Sequence, residues 1–359
     1  MTEPAAPSRR PRVHVFIVDG TLSTLEPGRE THAGRLFKLL GEGGRRADLA
    51  LDHHPGVQGR GPRGWLRAAI GLGLNDAILD GYARLSSRWR PGDRIFLYGY
   101  SRGAYAVRSL AGLIGFVGLL RPERAIHRRV QRAFRLYESG DAERAAGFRA
   151  LHGHDARASI DLVGVWDTVK ALGIPWPGLS FLHPMATEFH DHRLGAHVGH
   201  GLHALALDED RVAFRPETWR LDQQRPGRVE QVWFPGGHGD VGGHVGGFEA
   251  ARPLADLSLA WMLERSEALG LPLPETWRDH VHPDAAAPMR GARRGSGRMF
   301  VIRERRRVRP ENGEVLHPSV ALRMVRLGYV PRARGAAPPL PEPPLPEPPL
   351  PEPPGPEQG

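Results

Sequence analysis

Cysteine is absent from the 359-residue chain, which excludes disulfides, thiolate nucleophiles and cysteine-ligated metals, and by itself assigns no compartment. Lysine is almost absent as well. Of 49 basic residues, all but Lys38 and Lys170 are arginine. No uninterrupted run of about 18 apolar residues occurs, so no membrane-crossing helix is expected. The best candidate, Ala104–Leu120, is broken by Arg108 and by glycines. The basic N-terminus MTEPAAPSRRPR has no apolar stretch behind it at signal-peptide distance, so a cytoplasmic chain without a cleavable export signal is expected. The net charge of +9 comes without a helix-turn-helix, zinc-finger or RNA-recognition pattern, and nucleic acid is not expected as a partner. The excess arginine reads either as a solvated surface or as attraction to an anionic membrane surface.

What is present is enough for one large α/β domain, with 40% hydrophobic residues to fill its core. The pattern predicts a disordered N-terminus over 1–11, a catalytic domain over 12–335 and a proline-rich disordered tail over 336–359. In that tail LPEPP recurs from Leu340, Leu345 and Leu350, and an extended polyproline-II spacer or docking ligand is expected. Within the domain, Val13–Val18, Arg94–Tyr98, Ile160–Trp166 and Glu230–Phe234 are short apolar runs that read as buried strands. Asn75–Trp89 sets Ile78, Tyr82, Leu85 and Trp89 on one helical face, and Ala104–Leu120 and Leu254–Leu269 read as further helices. Alternation of this kind predicts a mostly parallel sheet with helices on both faces and helical or loop insertions, in the manner of an α/β-hydrolase. Functional groups are then expected at the carboxyl ends of the strands. Arg121–Gly153 reads as a polar helical insertion. Residues 174–200, with Trp176, Phe181, Leu182, Met185 and Phe189, read as an irregular segment; either is a lid candidate or simply covers the sheet. Arg290–Arg309 reads as a basic, solvated stretch around a short FVI strand.

The sharpest chemical signal is Gly99-Tyr100-Ser101-Arg102-Gly103, a G-x-S-x-G between a strand and a helix. The pentapeptide alone is weak in a chain with 45 glycines. Its context is what a nucleophile elbow requires: a strained turn that lifts the serine oxygen above the sheet, with small neighbours that let the helix approach. The Arg102 amide at the helix start is an oxyanion candidate, as are Gly20 and Thr21 after the first strand. A serine hydroxyl needs a base and an orienting carboxylate. Asp167 follows the strand IDLVGVW, and His238 follows EQVWF in the loop PGGHGDVGG, which gives the order Ser, Asp, His. His203, inside GLHALALDED, is a second candidate base. Metal binding through His238, Asp240 and His244, or through His190-Asp191-His192, is a rival reading, although a glycine-rich loop supplies no fixed ligand spacing. Asp240 otherwise reads as a loop brace.

The blocks FIVDGT, IFLYGYSRGAYAVRSLAGLIGFVGLL, DLVGVWDTVKALG, HALALDEDRVAFRPETW and VWFPGGHGDVGG resemble, in order, those of the bacterial and fungal α/β-hydrolase family that includes the type VI secretion phospholipase effectors. The resemblance implies a cofactor-free Ser–Asp–His esterase, its triad at Ser101, Asp167 and His238, acting on a lipid or other ester. It also implies a secretion-system or immunity partner, and delivery into another cell without a signal peptide. Asp19 belongs to the family's Asp-Gly-Thr signature. That signature usually continues Gly-Asn, where this chain has Leu22 and Ser23. The competing expectation is a catalytically quiet module of the same fold that engages a partner through its proline-rich tail.

Overall fold

The computed structural model describes residues 9–44, 46–58, 73–169, 193–221, 228–293, 297 and 300–336. Seven strands, β1 (Val13–Val18), β2 (Leu49–His54), β3 (Arg94–Tyr100), β4 (Ile160–Trp166), β5 (Val198–Ala206), β6 (Val229–Phe234) and β7 (Glu314–Leu316), form one sheet in the order β2-β1-β3-β4-β5-β6-β7. Every pair of neighbours is parallel. Parallel strands must be joined by crossovers that cover both faces, which is why their central residues are apolar on both sides. In β1, Phe16 and Val18 enter one core while Val15 and Ile17 enter the other, and in β3 Ile95 and Leu97 oppose Phe96 and Tyr98 in the same way. The first core is covered by the helices Leu74–Arg88, Arg102–Val117 and His127–Ser139, the second by His32–Gly41 and Arg252–Ala268. This is an α/β-hydrolase-like fold.

The strand order reverses between β1 and β3, and in an open α/β sheet that switch point opens a crevice beyond the carboxyl ends of the strands. Register brings the relevant ends level: Tyr100 of β3 pairs with Trp166 of β4, and Trp166 with Ala204 of β5. Apart from the FVI segment, the predicted strands and helices are present with ends shifted by at most a few residues. β2, β5, β7 and the helices His32–Gly41 and Pro318–Leu327 are additional. The insertion 121–153 contains the helices His127–Ser139 and Ala142–His152, and the first of these buries Val130, Ala133, Phe134 and Leu136 in the first core.

Two expectations are corrected. The FVI segment is not a strand; it passes β5's trailing loop with a single bridge between Arg211 and Arg303, and Val301 is 87% exposed. The basic stretch around it is not simply solvated either. Arg303 and Arg293 meet the buried Asp210 carboxylate, and Arg306 is itself buried. Consecutive carboxylates beyond a strand end need cations to be buried, and this stretch supplies them. Residues 1–8, the segment 170–192 with its aromatic residues and His190-Asp191-His192, and the tail from 337 lie outside the described residues. Arg9 pairs with Asp93.

Candidate active site

Strand β3 runs directly into the helix Arg102–Val117, and Ser101 is the hinge, with φ +58° and ψ −121°. For a residue with a Cβ this is strained backbone, held by its surroundings. The Ser101 amide donates to the Trp166 carbonyl at 3.0 Å, so the elbow is tied to the neighbouring strand. Two glycines let the turn close. A Cβ on Gly99 would lie 2.5 Å from the Gly103 carbonyl oxygen, and one on Gly103 would lie 2.3 Å from that of Val18. Small residues at both positions are therefore a steric requirement.

Asp167 occupies the equivalent place one strand over, also with positive φ (+42°), and its amide donates to the Ala204 carbonyl at 2.8 Å. His238 begins a one-turn helix after β6, and Glu209 accepts its backbone N–H at 3.1 Å. Its Nε2 lies 2.8 Å from Ser101 Oγ and its Nδ1 lies 2.6 Å from Asp167 Oδ2. With the proton on Nδ1 directed at the carboxylate, Nε2 can accept the hydroxyl proton. The imidazole ring stacks on Tyr100, centroids 4.8 Å apart, and meets Phe214 edge-on at the same distance. Tyr100 is fixed in turn: a Cβ on Gly242 would come within 1.9 Å of its ring, one on Gly20 within 2.7 Å, and its hydroxyl donates to the His238 carbonyl.

All three side chains are nearly withdrawn from water. Burial would raise the Asp167 carboxyl, but the Arg306 guanidinium and the His238 hydrogen bond together hold it well below the usual carboxylate range. Burial pushes the His238 imidazole below its ordinary value, against the opposing pull of Asp167. His238 is thus kept available as a neutral acceptor.

The remaining sequence candidates divide. His203 lies within β5, fully buried; its Nε2 accepts the Thr168 amide at 3.0 Å, and burial pushes it down to about 3. It braces the residue after Asp167 and makes no hydrogen bond to Ser101 among the described residues. Asp240 is a loop brace, accepting the amides of Gly237, Arg290 and Gly291 at 2.7–2.9 Å. Both imidazole nitrogens of His238 face Ser101 and Asp167, and the Asp240 carboxylate is taken by backbone amides, so two members of the H-x-D-x₃-H set are engaged with protein. Among the described residues no group of three or more His, Asp or Glu is arranged around one point as metal ligands would be.

Asp19 accepts from its neighbour Gly20 at 2.7 Å and from the Thr31 hydroxyl at 2.6 Å, and Thr31 caps the helix His32–Gly41. The Gly20 amide is therefore committed to Asp19. The Thr21 hydroxyl is buried and has no hydrogen-bond partner among the described residues. Leu22, standing where the family signature has glycine, adopts φ +58°, a conformation glycine takes without strain. Arg102 opens the elbow helix, and burial pushes its guanidinium down to about 10.

Sequence reasoning missed Arg306 and Glu209. Arg306 sits among arginines with no periodicity to single it out. The acidic triplet Asp208-Glu209-Asp210 after β5 was the legible hint: Asp208 accepts the Gly236 amide and the Tyr329 hydroxyl, and Glu209 grips Arg211 beside the His238 amide. The triplet locks the loop that carries His238.

Comparison with known proteins gives a match to the family model described as T6SS phospholipase effector Tle1-like, catalytic domain, over residues 12–265. The uncharacterized protein YEL023C of Saccharomyces cerevisiae is 26% identical over 227 residues, 56% of this chain and 32% of the yeast protein. Among solved structures, an uncharacterized protein from Pseudomonas aeruginosa has a TM-score of 0.47 at 17% identity, covering 74% of this chain and 47% of that one. A Tle1 effector, solved bound to the VgrG spike of the type VI secretion system, has a TM-score of 0.34 at 17% identity, covering 67% and 53%. The chain thus spans about a third of the yeast relative and about half of each of these two solved proteins. No helix of the described residues is long and apolar enough to cross a membrane.

Proposed function

We propose that this chain, which belongs to the T6SS phospholipase effector Tle1-like catalytic-domain family, is a serine carboxylic-ester hydrolase acting on phospholipid. One observation carries the reading: a single imidazole, 2.8 Å from the hydroxyl of a strained elbow serine and 2.6 Å from a buried carboxylate. His238 takes the Ser101 proton as Oγ attacks the ester carbonyl, and Asp167 stabilises the imidazolium that forms. The proton then passes to the leaving alcohol. Water, activated by the same imidazole, cleaves the acyl-enzyme and regenerates Ser101.

Amides of Arg102 and, in the loop after β1, of Thr21 are assigned to the developing oxyanion, since the Gly20 amide already serves Asp19. Phospholipid as the substrate class, and delivery with a secretion spike, come from the family's description and from the neighbour solved with VgrG; an anionic membrane suits the chain's net charge of +9. The test is a panel of phospholipids and p-nitrophenyl esters assayed with the wild type and with Ser101→Ala, alongside fluorophosphonate labelling. Loss of labelling and a fall of about 10⁴-fold or more in kcat are expected for the variant. Full activity without Ser101 would end this reading.

A further inference from the structure

Arg306 lies 139 positions from Asp167 in sequence and beyond the residues matched by the family model, yet its guanidinium meets both oxygens of that carboxylate. Nη1 reaches Oδ1 at 2.6 Å and Nη2 reaches Oδ2 at 2.9 Å, a two-pronged contact that fixes the carboxylate plane as well as its position. The same two nitrogens also donate to the carbonyls of Ala206 and Phe214, so the fork is anchored to the end of β5 and to the loop behind His238. The Ala206 amide donates to Oδ1 as well, at 3.1 Å. Oδ2 is left facing His238 Nδ1. The Arg306 side chain is only 4% exposed and the Asp167 side chain fully buried, so water screens the ion pair little.

We infer that Arg306 is a positioning residue of the active site, which aims Asp167 at His238 and lowers the pH at which the Asp167–His238 pair takes up a proton. The assignment rests on the serine-hydrolase reading above and adds a fourth member to it. The physical reason is charge. A buried carboxylate beside an imidazole favours the imidazolium; a guanidinium on the carboxylate's far side offsets that field and leaves the imidazole free to accept. The other groups facing His238 do not offer the same control. Glu209, in the loop after β5, is already paired with Arg211; Tyr100 on β3 is kept neutral by burial; and burial also keeps His244 neutral, pushing it down to about 4. The dominant unbalanced charge at the imidazole would be Asp167 itself once Arg306 is gone. A purely structural arginine would contribute stability and leave the proton affinity of the pair unchanged.

The test is the pH dependence of kcat/KM from pH 4.5 to 8 on a p-nitrophenyl ester, for wild type, Arg306→Gln and Arg306→Lys, with thermal melts of each. Arg306→Gln should move the acid limb upward by about one pH unit, as expected for removal of a charge a few ångströms from a partly shielded pair. Its plateau should fall by about 10- to 100-fold as the carboxylate loses its aim. Arg306→Lys restores the charge but not the fork, so its acid limb should return to the wild-type position while the plateau stays reduced. If Arg306→Gln does not fold, the lysine variant decides: a wild-type plateau would overturn the positioning role. An unmoved acid limb in a folded, Ser101-dependent Arg306→Gln would overturn the assignment while leaving the hydrolase reading intact. A wild type with no Ser101-dependent activity would overturn both.

Discussion

Replacing Gly103 with alanine sets two physical effects against each other. Gly103 stands in the first turn of the elbow helix, and helix propensity alone favours alanine over glycine by up to about 1 kcal/mol. Against this, the new Cβ would lie 2.3 Å from the Val18 carbonyl oxygen and 2.4 Å from that of Asp19, where ordinary contact begins near 3.4 Å. Both obstacles are backbone at the end of β1, so neither can rotate away as a side chain would. The helix or the strand must move by about 1 Å. Overpacking of this kind costs about 1–3 kcal/mol, and with backbone on both sides the upper figure applies. After the propensity gain, a net loss of about 2 kcal/mol remains, which for a domain of this size lowers Tm by roughly 3 °C. The same displacement moves Ser101 relative to His238 and should cost about 10²-fold in kcat/KM.

Gly147→Ala is the matched control. It lies inside the helix Ala142–His152, where an added methyl group would meet nothing within 4 Å, and should raise stability by up to about 1 kcal/mol. Thermal melts and ester hydrolysis on the two variants decide the matter. A Gly103→Ala protein as stable and as active as Gly147→Ala would refute the view that the elbow is sterically closed.

Further outcomes follow from the electrostatics. Because burial depresses His238 from its ordinary value near 6.5, activity should be complete above that pH and fall only as pH drops through the lowered value; a kcat/KM acid limb at or above 6.5 contradicts this. Asp167 is depressed in the folded state, so its contribution to stability is full above its unfolded value near 3.8 and is lost as pH falls towards the folded value. Asp167→Asn, which strands Arg306, should therefore unfold about 3–5 kcal/mol more easily at pH 6, and urea titrations should show the gap narrowing below pH 4. His203→Leu leaves the Thr168 amide buried without an acceptor and should cost about 1–3 kcal/mol, read as a lower urea midpoint, with the acid limb unmoved. Lost fluorophosphonate labelling at an unchanged urea midpoint would instead return His203 as the base.

Much of the site was legible in sequence because the sheet is parallel. In such a sheet each strand end is a place where a side chain can be offered to the crevice, and Ser101, Asp167 and His238 each follow an apolar strand that short-range pattern identifies. Gly99 and Gly103 were legible for the same local reason, since a tight strand-to-helix turn leaves no room for a Cβ. His203 lies inside β5, as its flanking pattern suggested, and Asp240 accepts three loop amides. By contrast, β2, β5 and β7 were not picked out as strands: β2 (LALDHH) and β5 (VGHGLHALA) interrupt their apolar residues with histidine, aspartate or glycine, and β7 is only three residues long.

The sequence by itself determined the alternation of strand and helix, the placing of Ser101, Asp167 and His238 just beyond strand ends and the glycines around the elbow, because each depends on neighbours a few residues away. Tertiary structure decided the rest. Whether an arginine is solvated or buried depends on which carboxylate the fold brings to it, and Arg306 meets Asp167 across 139 positions of chain. The Gly20 amide, a fair oxyanion donor on paper, is taken by the carboxylate of Asp19, which the fold holds in place from Thr31. Local pattern carries geometry along one element; the pairing of charges and the fate of a single amide are settled only when distant segments pack together.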